Sequence, residues 1–148
     1  MNATQTAGEC INELIRVTAE SEATFHAAVA AVRGDEARAL LLDRAYRFAR
    51  AAAALRAVGR DQSIEPPSLG DVGAPPGGDD VSILSDCERR EDRAIVAFRD
   101  ALEAPLPTSV RRTVEREFDS LLARLGSLRA LRDRLAHRVP RERVPQQM

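Results

Sequence analysis

Apolar residues recur three and four positions apart along four stretches of the chain, the spacing that gathers them on one face of an α-helix. The first line runs Ile11, Leu14, Ile15, Thr18, Phe25, Val29 and Val32, and the second Leu41, Ala45, Phe48, Ala52 and Leu55. The third holds Leu84, Cys87, Ala94, Phe98 and Ala101. The fourth is the most apolar, with Val110, Val114, Phe118, Leu121, Leu122, Leu125, Leu128, Leu131 and Leu135. These lines predict helices over about residues 10–33, 35–58, 80–104 and 107–138.

The breakers between them set the connectivity. Gly34 is a natural C-terminal stop and Asp35 a cap for the second helix, so the turn is short and the first two helices are antiparallel neighbours. Gly59 is predicted to end the second helix. Residues 59–79 then hold Pro66, Pro67, Pro75, Pro76, Gly70, Gly73, Gly77 and Gly78, a density of breakers through which no helix persists. Extended at about 3.3 Å per residue, such a segment can cross the roughly 35 Å of a long helix. A flexible linker between two separable halves is the alternative, disfavoured because neither half buries both sides of its apolar stripes alone. Asp79 or Asp80 caps the third helix, which ends before Pro105, and Pro107 with Thr108 opens the fourth. Gly126 costs that helix about 1 kcal/mol against Ala, which so many Leu absorb. Pro140 closes it, leaving residues 140–148 as a disordered tail. Hairpin, long crossover and hairpin in one domain over residues 1–139 make an all-α, ferritin-like four-helix bundle.

Polar residues on the apolar lines carry the candidate chemistry. Glu22 lies in the first stripe, Glu91 in the third, and Arg44 and Arg47 flank the second at its middle. A buried carboxylate needs a partner. A guanidinium fork suits two of them, which predicts a central ionic cluster of Glu22, Arg44, Arg47 and Glu91; slightly rotated stripes would instead let these side chains reach water. A di-iron carboxylate bundle needs a Glu from each of two helices and Glu-x-x-His from the other two. The chain has two His, His26 and His137, neither in that motif. The ligands such a site would draw on are Glu22, His26, Glu88 and Glu91, which leaves it incomplete, so no metal and no cofactor is expected. His26 reads more simply as a surface side chain paired with Glu22. No Gly-rich phosphate loop and no Ser-His-Asp set is assembled by the periodicity.

Composition refines this. Across 148 residues 44% are apolar but only 3% aromatic, so the core is built from aliphatic residues and Ala. All 22 basic residues are Arg, and the net charge is only −1. That balance hides an asymmetry: residues 61–104 hold 11 acids against 4 Arg, and residues 105–148 hold 10 Arg against 5 acids. Neighbouring helices of opposite charge attract modestly. The Arg-rich end, with Arg129, Arg132, Arg134, Arg138, Arg141 and Arg143, has no aromatic residue for stacking on bases, so specific nucleic-acid binding is not expected. Cys10 and Cys87 lie too far apart in sequence for a CxxC site. With no apolar signal core at the start and no run of 18 apolar residues, a cytoplasmic protein of bacterial type is expected, without a membrane span.

Some of these residues also resemble a known family. Ile11-Asn12-Glu13-Leu14-Ile15, Cys87-Glu88-Arg89 followed by Glu91-Asp92 within Ile83 to Asp92, Ala101-Leu102, Leu106-Pro107, Val110-Arg111 and Leu128-Arg129-Ala130-Leu131-Arg132-Asp133 resemble uncharacterised bacterial ferritin-like four-helix-bundle proteins, a domain of unknown function. The resemblance implies the fold. Where members often place a His before the last of these runs, this chain has Leu125, and it lacks their aromatic segment after the second helix. Two functions are open on these readings: a non-enzymatic bundle that associates with itself or another protein, or, as the alternative, a carboxylate metal-binding bundle with oxidase or storage activity.

Overall fold

The computed structural model of the chain describes the backbone of residues 3–70 and 76–143, and the side-chain environments of residues 7–70 and 76–138. It is an all-α helical bundle: α1 Ala3–Ala31, α2 Asp35–Asp61, α3 Asp80–Glu103, α4 Thr108–Leu122 and α5 Ser127–Arg143. Helix α1 packs on α2 and α3, α4 packs on the same two helices, and α5 continues along α3. The apolar lines meet in one core that includes Ile11, Leu14, Phe25, Leu41, Phe48, Leu55, Leu84, Phe98, Val114 and Leu121. The chain's four Phe form two pairs, each joining neighbouring helices: Phe25 with Phe48 at 5.4 Å between ring centroids, and Phe98 with Phe118 at 5.6 Å. Among the described residues no helix is long and apolar enough to cross a membrane.

Helix ends depart from expectation in five places. Helix α1 begins at Ala3, well before residue 10. Asp35 does not cap α2; Gly34 takes that position, without a side-chain hydrogen bond. The reason is tertiary. The Asp80 carboxylate accepts from the Arg33 N–H at 2.9 Å and the Gly34 N–H at 2.8 Å, tying the α1–α2 turn to the start of α3. A Cβ at position 34 would lie 3.1 Å from Asp80 Oδ2, so glycine is there for the close approach. Gly59 does not end α2, which runs on to Asp61. Buried against α1, it lies where an added Cβ would stand 3.5 Å from Ile11 Cγ2, an ordinary van der Waals contact.

The fourth apolar line is broken rather than continuous. Residues 123–126 form a turn between α4 and α5, where Gly126 adopts φ +91°, a left-handed value that ends a right-handed helix. Leu125 consequently sits on the turn, about half exposed, instead of in the core. Pro140 does not end α5. Its missing N–H leaves the carbonyl of Ala136, an exposed residue, without its usual intrahelical donor. Of the predicted disordered tail, residues 140–143 are helical, and 144–148 lie outside the described residues, as do 71–75 in the Pro/Gly segment.

Helix C-termini leave carbonyls without intrahelical partners, and here arginines from the following helix meet them. Arg38 Nη2 donates to the Val32 carbonyl at 2.9 Å. Arg111 donates to the carbonyls of Leu102 and Ala104 at 2.9 and 2.8 Å. A cation there also complements the helix dipole.

Candidate functional site

Arg44 is the largest fully buried side chain among the described residues. Its position on α2, between Leu41 and Ala45 on the apolar line, carries it into the core. Nε donates to Glu91 on α3. Nη2 donates to the Arg124 carbonyl at 3.0 Å and to the Ser127 hydroxyl, the groups opened by the break between α4 and α5. Ser127 in turn donates to the same Arg124 carbonyl at 2.8 Å. Nη1 lies 3.7 Å from Asp43 Oδ2 and has no hydrogen-bond partner among the described residues. Arg44 thus links α2, α3 and the α4–α5 turn, and performs at the end of α4 the service that Arg38 and Arg111 perform elsewhere.

Glu91 is 2% exposed. Burial pushes its carboxyl above the ordinary range, and Arg44 pulls it part of the way back. One turn earlier on α3, Glu88 turns toward α5, where Arg129 Nε donates to it at 2.8 Å and Arg132 donates to its other oxygen. That hydrogen bond, reinforced by the negative charge of Glu88, raises the affinity of the exposed Arg129 for its proton. The acidic and basic thirds of the sequence therefore meet within the bundle. A cleft of about 190 Å³ opens beside Glu88, Glu91 and Arg129 at the helix break, with Leu125 and Gly126 on its far side.

Of the four residues predicted to cluster, Arg44 and Glu91 touch and the other two do not join them. Arg47, one helical turn on and farther round α2, faces α4: it donates to Asp43 at 3.1 Å and to Ser120 at 3.0 Å. Glu22 is half-buried and forms no ion pair among the described residues. The core-facing polar residues of α1 are instead Thr18 and Ser21, both wholly buried. Thr18 donates to the Leu14 carbonyl at 2.7 Å, as a short hydroxyl in a helix can. His26 is exposed, with no ion pair to Glu22.

Sequence reasoning alone misses Ser127, Arg124, Arg129 and Arg132 as parts of this centre. Arg129 and Arg132 are legible in principle, being three residues apart on a helix whose neighbour is acidic. The Arg124 carbonyl is not, because it becomes available only where the helix breaks.

The donor set does not fit a di-metal centre. Among the described residues no three His, Cys, Asp or Glu side chains gather closely enough to hold a metal ion. The two inward carboxylates on α3 already serve guanidinium groups, and a cation beside Glu91 would have to displace Arg44. This arrangement pairs each inward carboxylate of α3 with guanidinium groups and joins α2, α3 and the α4–α5 turn through Arg44. The chain matches no protein-family model, and no curated protein matches it.

Proposed function

We infer that this protein works by association rather than by catalysis: a ferritin-like helical bundle whose centre is closed by an ion pair and whose surface meets itself or another protein. The observation that carries the reading is the buried Arg44 guanidinium seated on Glu91, where a reactive carboxylate would have to be free.

The ferritin-like connectivity draws support from paired positions. Gly34 with Asp80 and Arg44 with Glu91 advance in the same sense along α2 and α3. Gln62 with Ser109, Arg47 with Ser120 and Glu36 with Arg134 advance in opposite senses along α2 and the α4–α5 line. Parallel α2 and α3 call for a connection that runs the length of the bundle, about 40 Å for 27 residues. Residues 62–79 can supply it. A start to that path is visible where the Asn12 side-chain amide donates to the Glu65 carbonyl at 3.0 Å. The two thiols, Cys10 and Cys87, are free and suit a reducing compartment such as a bacterial cytoplasm.

Elemental analysis of protein purified without chelator, alongside its molar mass in solution, tests the reading. No stoichiometric metal and a defined oligomer or captured partner is the expected result. Iron, manganese or zinc near one or two per chain, lost in Glu91→Ala, would overturn it in favour of a carboxylate metal site.

A further inference from the structure

We propose that a cleft between α1 and the middle of α3 binds a small anion carrying a phosphate group, either inorganic phosphate or a phosphomonoester. The site is separate from the Arg44 centre and stands whether or not the chain associates. The cleft measures about 290 Å³ and is lined by Thr24 from α1 and by Asp86, Arg89, Arg90 and Arg93 from α3. Residues 61–104 are the acidic third of the chain, with only 4 Arg, and three of those four line this one cleft.

Arg93 lies three and four residues after Arg90 and Arg89, the spacing at which like charges on a helix repel. The helix dipole does not account for them. Arg38 and Arg111 meet carbonyls at helix ends, whereas these three stand in the middle of α3, where the dipole no longer acts. Acids of the chain neutralise them only in part. Arg89 donates to Asp86, Glu20 lies 3.9 Å from Arg90 and so beyond hydrogen-bond reach, and Arg93 forms no ion pair among the described residues. Three Arg against one Asp leave the lining at a net +2, which a phosphate group of about −1.5 to −2 balances. Thr24 adds a hydroxyl. Thr18 and Thr113 turn theirs back onto the carbonyl four residues earlier, while that of the half-buried Thr24 makes no such bond and is left to donate into the cleft. Guanidinium forks pair with carboxylate and phosphate alike, so the number of donors decides. Three forks and a hydroxyl suit the three terminal oxygens of a phosphate group better than the two of a carboxylate. The volume falls below the roughly 300–1,000 Å³ of pockets for drug-sized ligands, which favours a small anion.

Isothermal titration of the full chain at low ionic strength tests this, with inorganic phosphate and methyl phosphate as separate titrants. One site per chain is expected, and the tighter titrant tells whether the group is bound free or esterified. Arg93→Gln is expected to weaken binding at least about tenfold and Thr24→Val about threefold, the first losing a charge-assisted hydrogen bond and the second a neutral one. Asp86→Asn, which removes the one acid of the lining, is expected to tighten binding about threefold. Arg99 is exposed on the same helix but does not line the cleft, so Arg99→Gln is expected to change binding by less than about twofold. Thermal melting of each variant separates loss of fold from loss of ligand. A wild type that binds neither titrant saturably overturns the site. A loss in Arg99→Gln equal to that in Arg93→Gln also overturns it, since the attraction would then be diffuse.

Discussion

Arg44 on α2 reaches across the core to Glu91 on α3, and neither side chain has water to fall back on. Removing one partner leaves the other charge buried and unpaired. Arg44→Leu is expected to lower stability by about 3–5 kcal/mol, while Arg44→Leu/Glu91→Leu recovers most of that loss. Urea unfolding of the three proteins checks it. A higher melting temperature for Arg44→Leu with unchanged helix packing would mean the pair does not hold register.

Glu91 also sets a pH dependence. Its pKa in the folded chain is raised, chiefly by burial, so the folded state holds this proton more tightly than the unfolded state does. The associated stability is complete below the ordinary value of 4.5 and is lost as pH rises through the folded value. The stability gap between wild type and Glu91→Gln should therefore move against the wild type as pH rises across that window. Movement the other way would show that attraction to Arg44 outweighs burial. Cys87 behaves alike at alkaline pH: burial pushes its thiol from 9.0 up to about 12, so folding protects it from ionising and from alkylation.

Gly126 offers a test of the helix break. No atom lies within 4 Å of where its Cβ would stand, so replacement meets no clash and only the left-handed φ resists it. Gly126→Ala is expected to destabilise by roughly 1–2 kcal/mol, although Ala is the better helix former. Denaturant midpoints decide. A gain in stability would mean that a continuous α4–α5 helix is the preferred state.

Arg111 bridges two carbonyls at the end of α3 with two nitrogens of one rigid fork. Arg111→Ala is expected to cost about 2 kcal/mol, and Arg111→Lys to recover less than half, since an ammonium is a single point donor on a flexible stem. Thermal melts of the pair measure this. Equal rescue by Lys would reduce the contact to charge alone.

The helices are legible in the sequence because period and breakers agree: Pro105 and Pro107 bracket a real turn, and Asp79 caps α3 by accepting from the Ser82 N–H. Glycine is harder to read. Gly34, Gly59 and Gly126 look alike in sequence, yet one admits a carboxylate, one sits inside a helix that runs on past it, and one turns the chain left-handed. Those roles depend on what lies opposite. The centre is half legible for the same reason. A stripe gives the angle at which a side chain leaves its helix, which places Arg44 and Glu91 inward. It does not say that Ser21 rather than Glu22 faces the core, nor that a carbonyl opens at Arg124.

The Asp80 latch changes what the long connection is for. One end of that connection is held by Asn12 on the Glu65 carbonyl, and just beyond the other Asp80 grips the α1–α2 turn. Covalent continuity then serves mainly to raise the local concentration of one hairpin near the other. Two polypeptides divided after the exposed Gly70 should recognise each other and rebuild the bundle on mixing, which co-purification would show. By the same logic, seating of a hairpin in a neighbouring molecule is expected at high concentration, and an exchanged dimer that persists on dilution would show it.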